Sequence, residues 1–428
     1  MNNQMPLVVD IARGGPGALS KIRNEAATLE AQARVQELRQ HFDSWVSADG
    51  SRSTLLCDIY NACFNRFVER QHAAPEVPGL ARIVADKLYA LRPFQLRGVA
   101  KILSGGTYDR SAYLVYPPGY GKTDPAIAAA VALAERGEAR RTLFVVSKSA
   151  AAQWSTRFAE LFPSRYGELL SCADRVLGVG TGRKARTEFW RRAVRVSCWP
   201  FVVITHEMLA DIPLAAAQHS TLLSNELSRL RQVLRDTEHG VSAVSKDATR
   251  LARRALRAQE AALVAEVEAH GSRLRAAADA DLPSWATLAV DHLVLDEAHF
   301  AKSLGVTTRM ERVAGLPRGE SARALDCWAR CQVVMRAGGR VTALSGTPLT
   351  NTLAEAFVWM RMLQPNLLAR VGLESFDAWA SVFCEAYPSV EMDCVGKFRA
   401  QTRLRYRNVP ELIAMLGECW DFARDDQP

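Results

Sequence analysis

The sequence predicts an α/β domain built on a largely parallel sheet with helices on both faces. Three observations carry that expectation. Short apolar runs, among them residues 143–146, 201–204 and 293–295, are near-continuous rather than alternating, as strands buried on both faces require. One such run ends in a glycine-rich turn, LVYPPGYGKTD (114–124), and another in an acidic turn, DHLVLDEAHF (291–300). Turns of this kind belong at the C-terminal edge of a parallel sheet, where ligands bind.

The glycine-rich turn has the makings of a phosphate cradle. Leu114 and Val115 close a buried strand, Gly119 and Gly121 let the backbone turn its amides inward, and the alanine-rich helix from Pro125 aims its N-terminus at the same point. That combination suits a polyphosphate. In a nucleotide-binding loop the lysine reaches the β- and γ-phosphates and the adjacent hydroxyl holds Mg²⁺, which assigns Lys122 and Thr123. One position departs from the general pattern: Tyr116 stands where a glycine is usual.

The acidic turn supplies the partner such a loop needs. The apolar run leads straight into Asp296, Glu297, Ala298 and His299. A carboxylate at the end of a neighbouring parallel strand lies where Mg²⁺ would sit, so Asp296 is the expected metal ligand. Glu297 is then the group that orients and deprotonates an attacking water.

Composition bounds the rest. At 428 residues, 48% hydrophobic and 23% charged, the chain can hold two or three ordinary globular domains. No run approaches the roughly 20 apolar residues of a membrane span, and the N-terminal apolar segment is too short for a secretory signal. The expectation is a soluble, intracellular protein with no membrane partner. Nine cysteines occur without a Cys-x-x-Cys pair, and Cys327 and Cys331, one helical turn apart, lack His or Cys partners at ligand spacing. They read as core or surface thiols, with no metal expected beyond Mg²⁺. The excess of 54 basic over 46 acidic residues admits a polyanionic partner without requiring one.

Residues 19–46 carry the pattern of a long amphipathic helix, with Ile22, Ala26, Leu29, Val35 and Leu38 close to one stripe, and a second helix is expected over 54–70. AAPEVPG (73–79) then reads as a linker whose prolines end helices. Residues 1–78 are expected to form a helical extension that packs on the main domain or binds a partner.

After the linker, YALRPFQLRGVAKIL (89–103) resembles the adenine-recognition segment that opens the ATPase of superfamily-two helicases, in the branch typified by the Swi/Snf chromatin remodellers, where Leu-Arg-Pro-Tyr-Gln is usual. The resemblance implies that Phe94 and Gln95 meet adenine. RRTLFVVSKSAAAQWSTRFAELFP (140–163) is similar to the family's next segment, which implies nucleic-acid backbone contacts for Ser147, Lys148 and Ser149. Trp154 and Phe158 are expected to pack their helix on the sheet. PFVVITHEML (200–209) resembles the family's Val-Ile-Thr-Thr-Tyr-Glu-x-Leu, with Thr205 the implied contact and His206 where the family has threonine. The basic cluster 183–195 between these strands reads equally as a solvated helix face or a contact surface. GRVTALSGTPLTNTLAEAFVWMRMLQP (339–365) resembles Thr-Gly-Thr-Pro-(Leu/Ile)-x-Asn followed by a helix, continuing through Asn351, Glu355, Phe357, Trp359 and Gln364. There the hydroxyls of Ser345 and Thr347 are implied to bridge His299 and the acidic strand to a bound nucleic-acid strand.

The resemblance implies a RecA-like lobe over residues 79–365, interrupted by an inserted helical hairpin at about 217–282. Within the insertion, Leu223, Leu227, Leu230, Leu234 and Val241 keep a coiled-coil spacing, and Gly240 is the expected break. Residues 366–428 are expected to form a helical segment leading toward a second lobe. Family members close two such lobes on ATP, the second supplying arginines through a Gln-x-x-Gly-Arg-x-x-Arg-like segment that this sequence lacks. The function implied is that of the ATP- and Mg²⁺-binding lobe of a DNA-dependent ATPase or translocase, acting on double-stranded DNA when a second RecA-like lobe completes it in cis or in trans. A single-lobe nucleotide-binding regulatory or scaffold subunit is a second reading. A degenerate lobe kept for interactions is a third, against which the intact Lys122, Thr123, Asp296 and Glu297 speak.

Overall fold

The computed structural model describes residues 8–14, 18–61, 75–84, 87–173, 183–195, 198–239, 282–308, 310, 321–349, 354–392 and 398–423, with scattered helical positions between 257 and 269. No helix among them is long and apolar enough to cross a membrane. The chain divides into two compact units.

The smaller unit takes residues 1–68, 310–314 and 377–415. It opens with a hairpin of β1 (Val9–Gly14) and β2 (Ala18–Arg23), followed by α1 (Glu25–Ser47) and α2 (Gly50–Tyr60). The helix expected from residue 19 therefore starts at Glu25. Residues 18–23 spend their backbone groups on the β1 ladder, and Asn24 then caps the helix, its Oδ1 accepting from the Ala27 N–H at 2.9 Å. The expected apolar stripe is not a core face, since Leu29 and Leu38 are exposed. Asp49 caps α2 in the same way, accepting from the Ser51 N–H at 2.9 Å. The part of the second expected helix beyond residue 61 lies outside the described residues.

The larger unit holds the sheet. A short hairpin, β3 (Ile83–Val84) and β4 (Lys87–Leu88), leads into α3 (Pro93–Ser104), β5 (Ser111–Val115) and α4 (Thr123–Glu135). The chain continues through β6 (Thr142–Val146), α5 (Ala151–Leu161), β7 (Leu169–Ser171), α6 (Arg183–Ala193), β8 (Phe201–Thr205) and α7 (Ala216–His239). It then enters β9 (His292–Leu295) and, after the helix Ala322–Arg336, β10 (Arg340–Ser345). With a last strand, β13 (Trp420–Phe422), at one edge, the strands stand in the order β13-β5-β10-β9-β6-β8-β7, every neighbouring pair parallel.

Burial explains the apolar runs. β5, β6, β9 and β10 are buried at every position, and α4 is buried all round from Ala126 to Leu133, as a helix between the sheet and further helices must be. Each large aliphatic side chain so buried contributes about 1.5–3 kcal/mol. Cys327 and Cys331 are both buried on the helix Ala322–Arg336. His292, fully buried in β9, ties three strands together: its Nδ1 lies 3.3 Å from Thr142 Oγ1 and its Nε2 2.9 Å from Thr342 Oγ1. Burial pushes its pKa down to about 3, so the ring is neutral.

The expected insertion at about 217–282 is described in part: α7 starts at Ala216, and Arg231 pairs with Glu260 at 2.8 Å. Gly240 and most of residues 240–281 lie outside the described residues.

The C-terminal stretch corrects an expectation. Rather than being helical throughout, it contains an antiparallel ribbon of β11 (Cys384–Met392) and β12 (Phe398–Tyr406), which belongs to the smaller unit, and a last strand, β13 (Trp420–Phe422). β13 pairs in parallel with β5, Asp421 opposite Leu114, so the sheet extends beyond the expected boundary at residue 365. Trp420 explains why this short segment pairs: it is buried, its ring 4.8 Å from that of Tyr113. Trp420→Ala should therefore cost about 3–5 kcal/mol in urea unfolding, the usual range for a buried tryptophan.

His292 gives a pH test. The unfolded ring takes a proton near pH 6.5 and the buried ring near 3, so the stability tied to the neutral ring is whole above pH 6.5, declines as the pH falls, and is lost below about 3. Urea melts across that window should show a shallower decline for His292→Gln than for the wild type.

Candidate nucleotide site

Parallel pairing brings the C-terminal ends of β5, β10, β9, β6 and β8 to one edge, and each expected motif except the 89–103 segment, which precedes β5, follows one of these strands. After β5 the backbone runs through Tyr116 and the two prolines into Gly119 (φ 87°) and Gly121 (φ 70°), both left-handed, then into Lys122 and Thr123 at the start of α4. Gly121 is doubly required, because a Cβ there would stand 2.8 Å from Gln95 Nε2.

Tyr116 does not obstruct the loop. Its ring is buried under α3, its hydroxyl donates to Asp421 on β13 and lies 3.0 Å from the Phe94 carbonyl, and the turn is made later, at the glycines. Phe94 packs edge-on against Tyr116 with ring centres 5.3 Å apart. Gln95 is buried and meets the loop itself: Nε2 donates to the Gly121 carbonyl at 3.1 Å, and Oε1 accepts from the Arg92 N–H at 2.9 Å.

After β9, Asp296 is buried and Glu297 takes a left-handed conformation, φ 48° and ψ 47°. For a residue with a Cβ this conformation costs about 1–2 kcal/mol, a kind of strain that clusters at functional sites. The turn sends the Glu297 carboxylate back over the phosphate loop. Oε1 lies 3.8 Å from Lys122 Nζ, and Oε2 lies 3.2 Å from His299 Nδ1. Lys122, Glu297 and His299 thus form one cluster.

Asp296 is held at every polar atom. Its N–H donates to the Val145 carbonyl at 2.9 Å, and its own carbonyl lies 2.9 Å from His206 Nε2. Oδ1 accepts from the Glu297 N–H at 3.0 Å, and Oδ2 accepts from the Trp154 indole N–H at 2.9 Å. Burial raises the Asp296 pKa, and the Trp154 bond opposes that rise. His206 is lowered by burial and stacks on Phe300, ring centres 3.9 Å apart.

The segment after β10 passes against the loop after β5. A Cβ on Gly346 would come within 2.9 Å of Pro118 Cδ and 3.3 Å of the Tyr116 carbonyl. Ser345 is buried and its hydroxyl accepts from the Thr347 N–H at 3.1 Å; no hydrogen bond links either residue to His299. Asn351 lies outside the described residues. Trp359 donates to the Pro348 carbonyl at 2.9 Å, which seats the following helix. On the remaining strand ends, Ser147 and Ser149 share a hydrogen bond of 3.1 Å beside the exposed Lys148, and Thr205 Oγ1 accepts from the Met208 N–H at 3.3 Å. The basic run of α6 is partly neutralised, Arg192 by Glu188 and Arg186 by Asp211.

Two side-chain groups were not foreseen as neighbours of the loop. Arg157 on α5 grips Asp124 with two bonds of 2.7 Å, and Tyr89 donates to the same carboxylate at 2.5 Å. An aspartate in an otherwise alanine-rich helix was the available signal, though its partners lie far away in sequence.

The donors fit a hard cation. The Thr123 hydroxyl at the first residue of α4 and the Asp296 carboxylate, each of whose oxygens accepts a single hydrogen bond and keeps lone pairs, form an all-oxygen set. Mg²⁺ suits such a set because it retains waters and takes phosphate oxygens instead of filling an all-protein cage. Among the described residues, no group of three or more His, Cys, Asp or Glu side chains could hold a metal by itself.

Comparison with known proteins adds a family. No curated protein matches the sequence. Among solved structures, the chain is similar to the Sulfolobus solfataricus SWI2/SNF2 ATPase core in complex with dsDNA (15% identity, 73% of this chain, 41% of that chain, TM-score 0.36). It is similar also to the same ATPase core domain alone (11%, 84%, 47%, TM-score 0.39) and to the Pyrococcus furiosus Hef helicase domain (14%, 66%, 37%, TM-score 0.30). These likenesses are loose, so the fold assignment rests on the strand order above, and the chain spans less than half the length of each. Residues 1–66 match a domain of unknown function, DUF8437. Residues 104–424, most of the chain and every strand of the main sheet, match the family described as "Probable helicase domain", and the chain therefore belongs to that family.

Proposed function

We propose that this helicase-type lobe binds ATP·Mg²⁺ at the edge formed by β5, β9 and β10, and that it serves a DNA-dependent ATPase or translocase in which a second RecA-like lobe, in cis or in trans, completes the site. The observation that carries this reading is the 3.8 Å approach of Lys122 Nζ to Glu297 Oε1, since it joins the phosphate loop to the acidic turn.

In this reading Lys122 faces the β- and γ-phosphates with its ammonium, and the loop amides from Gly119 to Thr123 donate to the remaining phosphate oxygens. Thr123 and Asp296 would hold Mg²⁺, whose part is to offset charge on the β- and γ-phosphate oxygens. Glu297 orients the attacking water and takes its proton, with His299 steadying the carboxylate at 3.2 Å. Phe94 and Gln95 lie on the adenine side, Gln95 turning from the Gly121 carbonyl to the base. Ser147, Lys148, Ser149 and Thr205 would contact the nucleic-acid backbone from the ends of β6 and β8, and Ser345 and Thr347 would relay the state of the γ-phosphate to them.

Magnitudes fix the role of the second lobe. Arginine fingers in phosphoryl-transfer enzymes supply about 10³–10⁵ in rate by neutralising transition-state charge. This chain alone should therefore bind nucleotide well and release phosphate slowly, with little stimulation by double-stranded DNA, and a second lobe should raise the rate by orders of magnitude. Brisk DNA-stimulated release by the lone chain would overturn that division of labour.

Two substitutions test the assignments. Lys122→Ala should weaken ATP·Mg²⁺ binding about 10- to 100-fold by calorimetry, the worth of a charge-assisted contact to phosphate. Glu297→Gln should leave that affinity nearly unchanged while lowering the turnover of the completed enzyme about 10²–10⁴-fold, as loss of a general base does. Equal affinity for Lys122→Ala and wild type would remove the nucleotide from this loop.

A further inference from the structure

We propose that Trp154 is a positioning residue for the cation: its indole N–H fixes the carboxylate of Asp296 in the orientation that Mg²⁺ requires. This inference rests on the nucleotide reading above and assigns a residue that reading does not use.

The geometry separates Trp154 from an ordinary core tryptophan. It sits on α5, buried, its ring 5.2 Å from that of Phe144 on β6, which accounts for its packing. Packing alone leaves the indole N–H to find any acceptor. Here it donates at 2.9 Å to Oδ2 of Asp296, a carboxylate in the turn after β9 and far away in sequence.

That bond completes a set of restraints. The main chain of Asp296 is fixed by Val145 on one side and His206 on the other, and its Oδ1 is fixed by the Glu297 N–H. Without Trp154 the carboxylate keeps a single side-chain restraint and can rotate about its χ2 axis. With it, both oxygens are committed to one plane, and their remaining lone pairs point to fixed directions. A ligand held in this way loses little freedom on meeting a cation, and partners that orient a metal ligand through its other lone pair typically contribute 10- to 100-fold in metal affinity.

The test separates positioning from packing. ATP affinity is measured by calorimetry with Mg²⁺ titrated from zero, for wild type and for Trp154→Phe, which keeps an aromatic ring against Phe144 and removes the N–H. The expected result is a rise of about tenfold in half-saturating Mg²⁺ for the variant, with Mg²⁺-free ATP affinity unchanged. In an Asp296→Asn background the same change should have no further effect on the Mg²⁺ requirement, since Trp154 acts through that carboxylate.

Should Trp154→Phe fail to melt cooperatively, the benzothiophene isostere of tryptophan, inserted at 154 by amber suppression, keeps the shape and lacks only the donor. It should reproduce the tenfold rise. An unchanged Mg²⁺ requirement in a folded variant would overturn the inference, as would an equal loss of affinity with and without Mg²⁺. A wild-type chain that binds no ATP at any Mg²⁺ concentration would instead overturn the nucleotide reading itself, which keeps the two failures distinct.

Discussion

Parallel pairing of β9 between β6 and β10 is the constraint on which the site depends. A parallel strand delivers its C-terminal end to the same edge as its neighbours, so residues scattered along the chain arrive on one line whatever lies between them. Glu297 reaches Lys122 of the loop after β5 in this way across β10, the strand that separates β9 from β5. The ladder is sealed by burial on both faces, and His292 stitches β6, β9 and β10 through threonine hydroxyls at the opposite end of the same strand.

Close approach does the rest. The segment after β10 meets the loop after β5 at Gly346 against Pro118, Gly121 of that loop lies under Gln95 of α3, and the turn after β9 reaches the loop through Glu297 and Lys122. A side chain at Gly346 would press on Pro118 and the Tyr116 carbonyl, and one at Gly121 would have to adopt a left-handed backbone and displace the Gln95 amide. The left-handed conformation at Glu297 carries its carboxylate toward Lys122 and His299. The left-handed Glu297 and the crowding at Gly346 fall at the same edge of the sheet, and strain of this kind clusters at functional sites.

The elements that hold Asp296 are also those that continue from the candidate nucleic-acid turns. α5 follows the turn at Ser147–Ser149 and carries Trp154, and β8 ends at Thr205, next to His206. Each of these two segments reaches the acidic residue through one hydrogen bond, at its side chain or at its carbonyl. A shift of either would be felt at Asp296 first, and that is the physical content a coupling between nucleic acid and nucleotide would need.

The local pattern of the chain was sufficient for the strands of residues 111–115, 142–146, 201–205, 292–295 and 340–345, and for the glycine-rich and acidic turns at their ends. Each is written in contiguous residues: apolar runs that only a doubly covered sheet can bury, glycines where φ must turn positive, and carboxylates at a strand end. Tertiary structure decided what contiguous residues cannot encode. Residues 19–23 read as the start of a helix because their composition permits one, yet pairing with β1 consumes their backbone groups. β13 has too short a pattern to be seen as a strand, and it becomes one because β5 offers an open edge and Tyr113 a surface for Trp420. Trp154 has the spacing of a core residue, which it is. That its one polar atom ends on Asp296 depends on how α5 lies across the sheet, a matter of packing between residues distant in sequence.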